Sequence, residues 1–177
     1  MVGGTGTFLS FSDDAEHVIK PKLDGATIKQ VDYVDTGYTP GRNGTYILTS
    51  KNKLFHLKFD GSTTEVTNDK IKSRGGIKQI FNHYAIDHQG GLWFYGYGEN
   101  IDPVIQDMSQ KTIKPLPIAR DLLTYNYDTV ILGADNHIYS ISDYFFDENT
   151  NYYGTKMVKL LDITTIISKE KIRDRKS

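Results

Sequence analysis

Ile77-Lys78-Gln79-Ile80-Phe81-Asn82-His83-Tyr84-Ala85-Ile86-Asp87-His88-Gln89-Gly90-Gly91-Leu92-Trp93-Phe94-Tyr95-Gly96-Tyr97-Gly98 is the stretch whose reading decides the fold. A segment of form Φ-x-x-Φ, Ile77 to Ile80, leads into a short apolar run, His83 to Asp87. A polar turn, His88-Gln89-Gly90-Gly91, then opens an aromatic run, Leu92 to Tyr97. Short apolar runs rich in β-branched and aromatic residues and bounded by Gly and Asn are strand signals. The Gly-containing turn between two of them is a hairpin signal.

The same order recurs on both sides. Upstream, Ile28-Lys29-Gln30-Val31 leads into Tyr46-Ile47-Leu48-Thr49, the turn Ser50-Lys51-Asn52-Lys53 and the run Leu54 to Phe59. Downstream, Ala119-Arg120-Asp121-Leu122 leads into Thr129 to Leu132, the turn Gly133-Ala134-Asp135-Asn136-His137 and the run Ile138 to Ile141. Taking Phe8, Leu54, Leu92 and Ile138 as equivalent gives spacings of 46, 38 and 46 residues. The two IKQ segments lie 49 residues apart (77 − 28). Recurrence at spacings of this size marks repeat architecture, the rival reading being an ordinary meander with no repeat, against which the two nearly identical IKQ segments speak. Gly6 to Phe11 resembles an outgoing strand without its partner, and Met157 to Ile166 resembles the segment that opens each unit. Three polar connectors separate the units: Ser62 to Gly76, Glu99 to Lys114 and Asp143 to Lys156. A short helical turn is expected near Ile101 to Met108.

Composition agrees with strands. Twelve Tyr, eight Phe and sixteen Gly in 177 residues suit pleated sheets joined by tight turns. Twenty-one Lys and Arg face 22 Asp and Glu, a net charge of −1, so no global field draws the chain to nucleic acid or an anionic membrane. Cysteine is absent, which excludes disulfides, thiolate catalysis and Cys-ligated metal. The N-terminal residues have neither a basic nor an apolar segment of a signal peptide, and no apolar run approaches a membrane span. A soluble protein is the expectation; its compartment is left open, with a reducing, cytoplasmic one slightly favoured. The repeat domain is read as residues 1–167, and the charge-dense 168–177 as a solvated tail.

The run from Ile77 to Gly98 resembles the repeat of RCC1-like β-propellers. In that family a Φ-K-Q-Φ strand precedes a His-containing apolar strand, a DG or GG turn and an aromatic strand ending in W-G; here those pieces are Ile77 to Ile80, His83 to Ile86, Gly90-Gly91 and Leu92 to Gly96. Lead-ins Ile113-Lys114-Pro115-Leu116 and Val158 to Leu161 are similar to that family's. Its Ser-Cys-Gly-x-x-His and Gly-Gln-Leu-Gly elements are absent, and the units are shorter than its usual blade. Leu54 to Ser62 is similar to a strand of tectonin-like lectin propellers. The resemblance implies an all-β fold of antiparallel sheets as propeller blades: about three full repeats plus terminal half-repeats, as a partial or small closed propeller. Open ends expose unpaired strand edges. Pairing of the two terminal halves would close a four-bladed ring; alternatively the ends meet a partner.

No catalytic constellation emerges. There is no phosphate-cradling loop and no nucleophile elbow. The five histidines show no metal-ligand spacing, and Asp13-Asp14 or Asp143 with Asp147 do not follow a calcium loop. His83 and His88 read as one satisfied inside and one solvated. No enzyme, cofactor or metal is expected, and no residue matches the nucleotide-exchange role known in one branch of the resembled family. Strand aromatics Phe55, Trp93 and Tyr139 read as packing. The loops before the apolar strands carry Tyr33, Tyr38 and Arg42, then Asn82 and His83, then Tyr125 and Tyr127, at the same place in successive units. Tyr and Arg dominate interface energetics, so these seven form the expected binding surface. The expected partner is another protein or a second copy in a scaffolding role; the alternative is a glycan held by a propeller lectin.

Overall fold

A computed structural model of the 177-residue chain describes residues 8–12, 15–34, 44–58, 60–97, 103–110, 116–125, 128–142, 146–147, 152–153 and 159–166. Strands β1 (Phe8–Ser12) and β2 (Ala15–Ile19) form a two-stranded antiparallel pair. The first four-stranded sheet is an antiparallel meander of β3 (Ile28–Val34), β4 (Gly44–Thr49), β5 (Leu54–Leu57) and β6 (Thr63–Glu65). After the short helix α1 (Asp69–Ser73), the second sheet follows as β7 (Ile77–Phe81), β8 (Tyr84–Asp87), β9 (Leu92–Tyr97) and β10 (Pro103–Asp107). The third is β11 (Ala119–Tyr125), β12 (Asp128–Gly133) and β13 (Ile138–Ser142), then the small pair β14 (Phe146–Asp147) and β15 (Tyr152–Tyr153), and last β16 (Lys159–Asp162), which pairs with β13.

Among the described residues the fold is therefore all-β in class, with three four-stranded antiparallel sheets. Leu54, Leu92 and Ile138 each begin the third strand of a sheet, as the spacing predicts. Phe8 begins β1, which pairs with the strand after it just as β5 and β9 do, whereas β13 pairs with β16 beyond the small β14–β15 pair.

Three expectations are corrected. The units have four strands rather than three, because the polar connectors carry the outer strands β6 and β10. The region of Ile101 to Met108 is mainly strand β10, and the helical turn comes after it as a 3-10 turn at Met108–Gln110. The C-terminal segment does not open a new unit. Its residues Lys159 to Asp162 complete the third sheet on β13. Since β1 pairs with β2 and β16 with β13, the two terminal segments do not pair with each other among the described residues. The charged 168–177 lies outside those residues.

Each third-strand hairpin closes in the same way. Thr49, Asp87 and Gly133 donate N–H to Lys53, Gly91 and His137, at 3.0, 3.0 and 2.8 Å. Asn52, Gly90 and Asn136 sit one residue earlier with φ of 61°, 79° and 65°. That left-handed position explains why Asn and Gly occupy all three turns.

Alternation puts one face of each sheet against its neighbour. Tyr46, Leu48 and Leu54 of the first sheet pack with Ile77, Ile80, Ala85, Trp93 and Tyr95 of the second. The other face of the second, with Tyr84, Ile86, Leu92 and Phe94, packs with Ala119, Leu122 and Ile131 of the third. Phe55 and Trp93 are buried and Tyr139 packs on the second cluster, so these aromatics are core, as read from their place in the strands.

Candidate functional site

Two regions hold equivalent residues of the sheets: the far ends of β3, β7 and β11 with the described Asn82–His83 turn, and the opening residues of the same strands.

At the turn end, Tyr33 near the end of β3 is 59 % exposed, and Tyr125 ends β11 half-buried. Asn82 and His83 make the two-residue turn between β7 and β8, with φ of 45° and 72°. Two positive φ values in a two-residue hairpin match the twist of the flanking strands. Tyr38, Arg42 and Tyr127 lie outside the described residues. Asn82 and His83 also join the sheets. The Asn82 Nδ2 donates to Thr129 Oγ1 of the third sheet at 2.9 Å, and the His83 N–H donates to Asp32 Oδ2 of the first at 3.2 Å. The Tyr95 hydroxyl donates to the same Asp32 oxygen. The His83 ring stacks on Phe94 with centroids 5.5 Å apart, and its Nδ1 donates to Tyr95 O at 3.2 Å. Burial lowers the His83 pKa, against the opposing pull of the Tyr95 carbonyl and Asp32. Its partner in the sequence reading, His88, is exposed.

At the opposite end, every inner strand carries a β-bulge at its second residue. The register of β3 on β4 shifts between Ile28 and Gln30, that of β7 on β8 between Ile77 and Gln79, and that of β11 on β12 between Ala119 and Asp121. A bulge leaves its extra residue out of the ladder and re-aims it. The bulged residues are Lys29, Lys78 and Arg120. Lys29 Nζ donates to Lys78 O at 2.9 Å, and Lys78 Nζ donates to Arg120 O at 3.0 Å. Arg120 instead holds Asn136 Oδ1 of its own sheet at 2.8 Å.

The next residue repeats the step. Gln30 Oε1 accepts from the Ile80 N–H at 2.9 Å; Gln79 Oε1 accepts from the Leu122 N–H at 3.1 Å while its Nε2 donates to Leu122 O at 3.2 Å. Backbone joins in as well: Ile77 N–H reaches Asn52 O, and Ala119 N–H reaches Gly90 O, each at 2.8 Å. Each sheet is thus registered on the next by the same atoms. Lys29, Gln30, Lys78, Gln79, Arg120 and Asp121 line an open depression of about 480 Å³ across the three strands.

The aligned Φ-x-x-Φ segments already contained this row, since a cation stands second in each. In the sequence the Lys-Gln pair of the first two segments marks the repeat and the family resemblance, without assigning those side chains to a surface. Nothing in the sequence alone indicates the bulge that turns Lys29, Lys78 and Arg120 toward a shared depression.

Among the described residues Asp87 is a heavily bonded acid. It is fully buried and accepts from Arg74 Nε at 2.5 Å, Trp93 Nε1 at 2.9 Å, and the Gln89 and Gly91 N–H groups at 2.8 Å. Burial pushes its pKa up, but the Arg74, Trp93 and backbone bonds outweigh that and hold it below the ordinary value. These bonds fix the turn and the helix-to-strand link. On the first sheet, burial takes His56 down to about 4, with Lys58 adding to the effect, so the ring is neutral near neutrality.

The fold and its polar rows define a class: an all-β protein of repeated antiparallel sheets packed face to face in a fixed step. The crystal structure of human WBSCR16 is similar to this chain, with a TM-score of 0.51 at 12% identity over 89% of it. The chain spans 44% of the length of that structure. No family model and no curated protein matches the sequence. Among the described residues no helix is long and apolar enough to cross a membrane.

Proposed function

We propose that the three sheets are blades of an RCC1-like propeller segment, and that the chain is a rigid, non-catalytic platform for a protein partner. The observation that carries this is the repeated inter-sheet step. The same lysine, glutamine and backbone bonds join the first sheet to the second and the second to the third. Such repetition holds loops and strand openings from successive units at fixed relative positions, and rigid scaffolds of that kind commonly present binding residues. The resemblance of Ile77 to Gly98 to that family's repeat supports the reading, and the likeness in fold to the human WBSCR16 structure supports a repeated all-β architecture.

Size-exclusion chromatography with light scattering, joined to native pull-down, tests the reading. A stable stoichiometric complex with a protein, with no turnover, is expected. A well-behaved 20.1 kDa monomer that retains no protein would overturn it. Specific capture on a glycan array in that same case would move the function to carbohydrate binding.

A further inference from the structure

We infer that the depression across the openings of β3, β7 and β11 binds an extended acidic segment of the protein partner. This rests on the platform reading and names the chemistry of what the platform holds. Lys29, Lys78 and Arg120 stand at equivalent bulges and line the depression together. Among the described residues the side chain of each donates one hydrogen bond, and each of those goes to a neutral oxygen. An ammonium has three donors and a guanidinium five, so most of their donor capacity is left over. Among the described residues none of the three belongs to an ion pair. Asp121 is the acid in the lining, so the depression carries a formal charge of +2 (three cations less one carboxylate). The whole chain carries −1, so this positive charge is local.

The shape selects the ligand. The depression is open and runs across three strands, so a small free anion stays hydrated there and gains little from any one cation. Several carboxylates on one chain gain from linked contacts without new chemistry at each. Gln30 and Gln79 are committed to the backbone of the next sheet, leaving the cations as the recognition groups. Among the described residues no aromatic lines the depression, so they offer no platform on which a nucleic-acid base would stack. An acidic peptide fits; a single-stranded nucleic acid does not.

Fluorescence anisotropy at low ionic strength, with labelled hexaglutamate as probe and hexaglutamine as its neutral counterpart, tests this. The intact chain should bind hexaglutamate in preference to hexaglutamine, and added salt should weaken the binding. Arg120→Gln leaves both lysine bridges in place and should weaken binding about two- to fivefold. Lys29→Gln, Lys78→Gln and Arg120→Gln together should weaken it about tenfold or more. Lys72→Gln on α1, outside the depression, should change nothing. The inference is overturned if Arg120→Gln and the triple variant both bind as the parent does. It is also overturned if the parent binds both peptides equally or neither, or if oligouridylate displaces hexaglutamate at lower concentration. A partner retained equally by parent and triple variant sinks this inference and leaves the platform reading intact. Hexaglutamate binding that depends on the three cations, with no partner retained by either protein, does the reverse.

Discussion

Replacing Asp87 with asparagine should destabilise the chain by about 3 kcal/mol, the low end of the range for breaking a buried ion pair. The carboxylate is fully buried and receives Arg74, the Trp93 indole N–H and two turn N–H groups. Asparagine is nearly isosteric, yet it replaces one acceptor with a donor that faces donors. The low end applies because the Arg74 side chain is 25% exposed and water can reach it. In a chain of this size 1 kcal/mol corresponds to about 2–4 °C, so the midpoint should fall by about 6–12 °C. Trp93 is the single tryptophan, so urea and thermal unfolding can be followed by its fluorescence, with circular dichroism as an independent probe. The pH dependence sharpens the test. The folded-state pKa of Asp87 is depressed, so its contribution is complete above the ordinary carboxylate value and is lost as pH falls through the depressed one. The gap between parent and Asp87→Asn should therefore narrow in acid. A loss under about 1 kcal/mol, or a gap that stays constant from neutral to acid pH, would refute the reasoning.

Gly76 has φ of 82°, and a Cβ there would lie 2.5 Å from Asn52 O. Gly25 has φ of 71° with open space around it. Gly25→Ala should cost about 1–2 kcal/mol for its backbone alone, and Gly76→Ala clearly more; equal urea midpoints would deny the close approach. His137 Nδ1 lies 2.6 Å from Asp162 Oδ2, which raises the histidine and helps hold Asp162 at about 2, after the Thr164 bonds. The pair's contribution is present below the ordinary histidine value and fades as pH rises through the raised one. An NMR titration should place His137 above the ordinary value and return it toward that value in Asp162→Asn; no difference between the two would remove the pair. Leu54→Ala, at the contact between the first two sheets, should cost about 2–5 kcal/mol in chemical denaturation. Leu161→Ala, 43% exposed on the outer strand, should cost under about 1 kcal/mol; similar losses would contradict the core assignment.

The hairpins were legible because their signals are local. Asn52, Gly90 and Asn136 supply the left-handed turn, and apolar runs flank each. The outer strands were hidden for the opposite reason. Thr63-Thr64-Glu65 is short and polar, and β10 begins at a proline, which suits an edge position and reads as a loop. Lys159 to Asp162 matches the opening pattern of a unit, and only its pairing with β13 reveals it as a closing strand. Asn82 and His83 were found by their place in the repeat, yet their bonds to Thr129 and Asp32 join residues about 50 positions apart, beyond any local pattern. The cationic row was visible as letters and silent as geometry, because a bulge arises from the pairing of two strands.

The account depends on three sheets docked in one repeated step, and native-state hydrogen exchange of the bridging amides tests it most directly. Ile77 and Ala119 donate to the preceding sheet's turn, and Ile80 and Leu122 to its glutamine. All four should be protected and should exchange together with the strand interiors. If they exchange at unprotected rates while amides within β4, β8 and β12 stay protected, the sheets form without the step between them, and the account is contradicted.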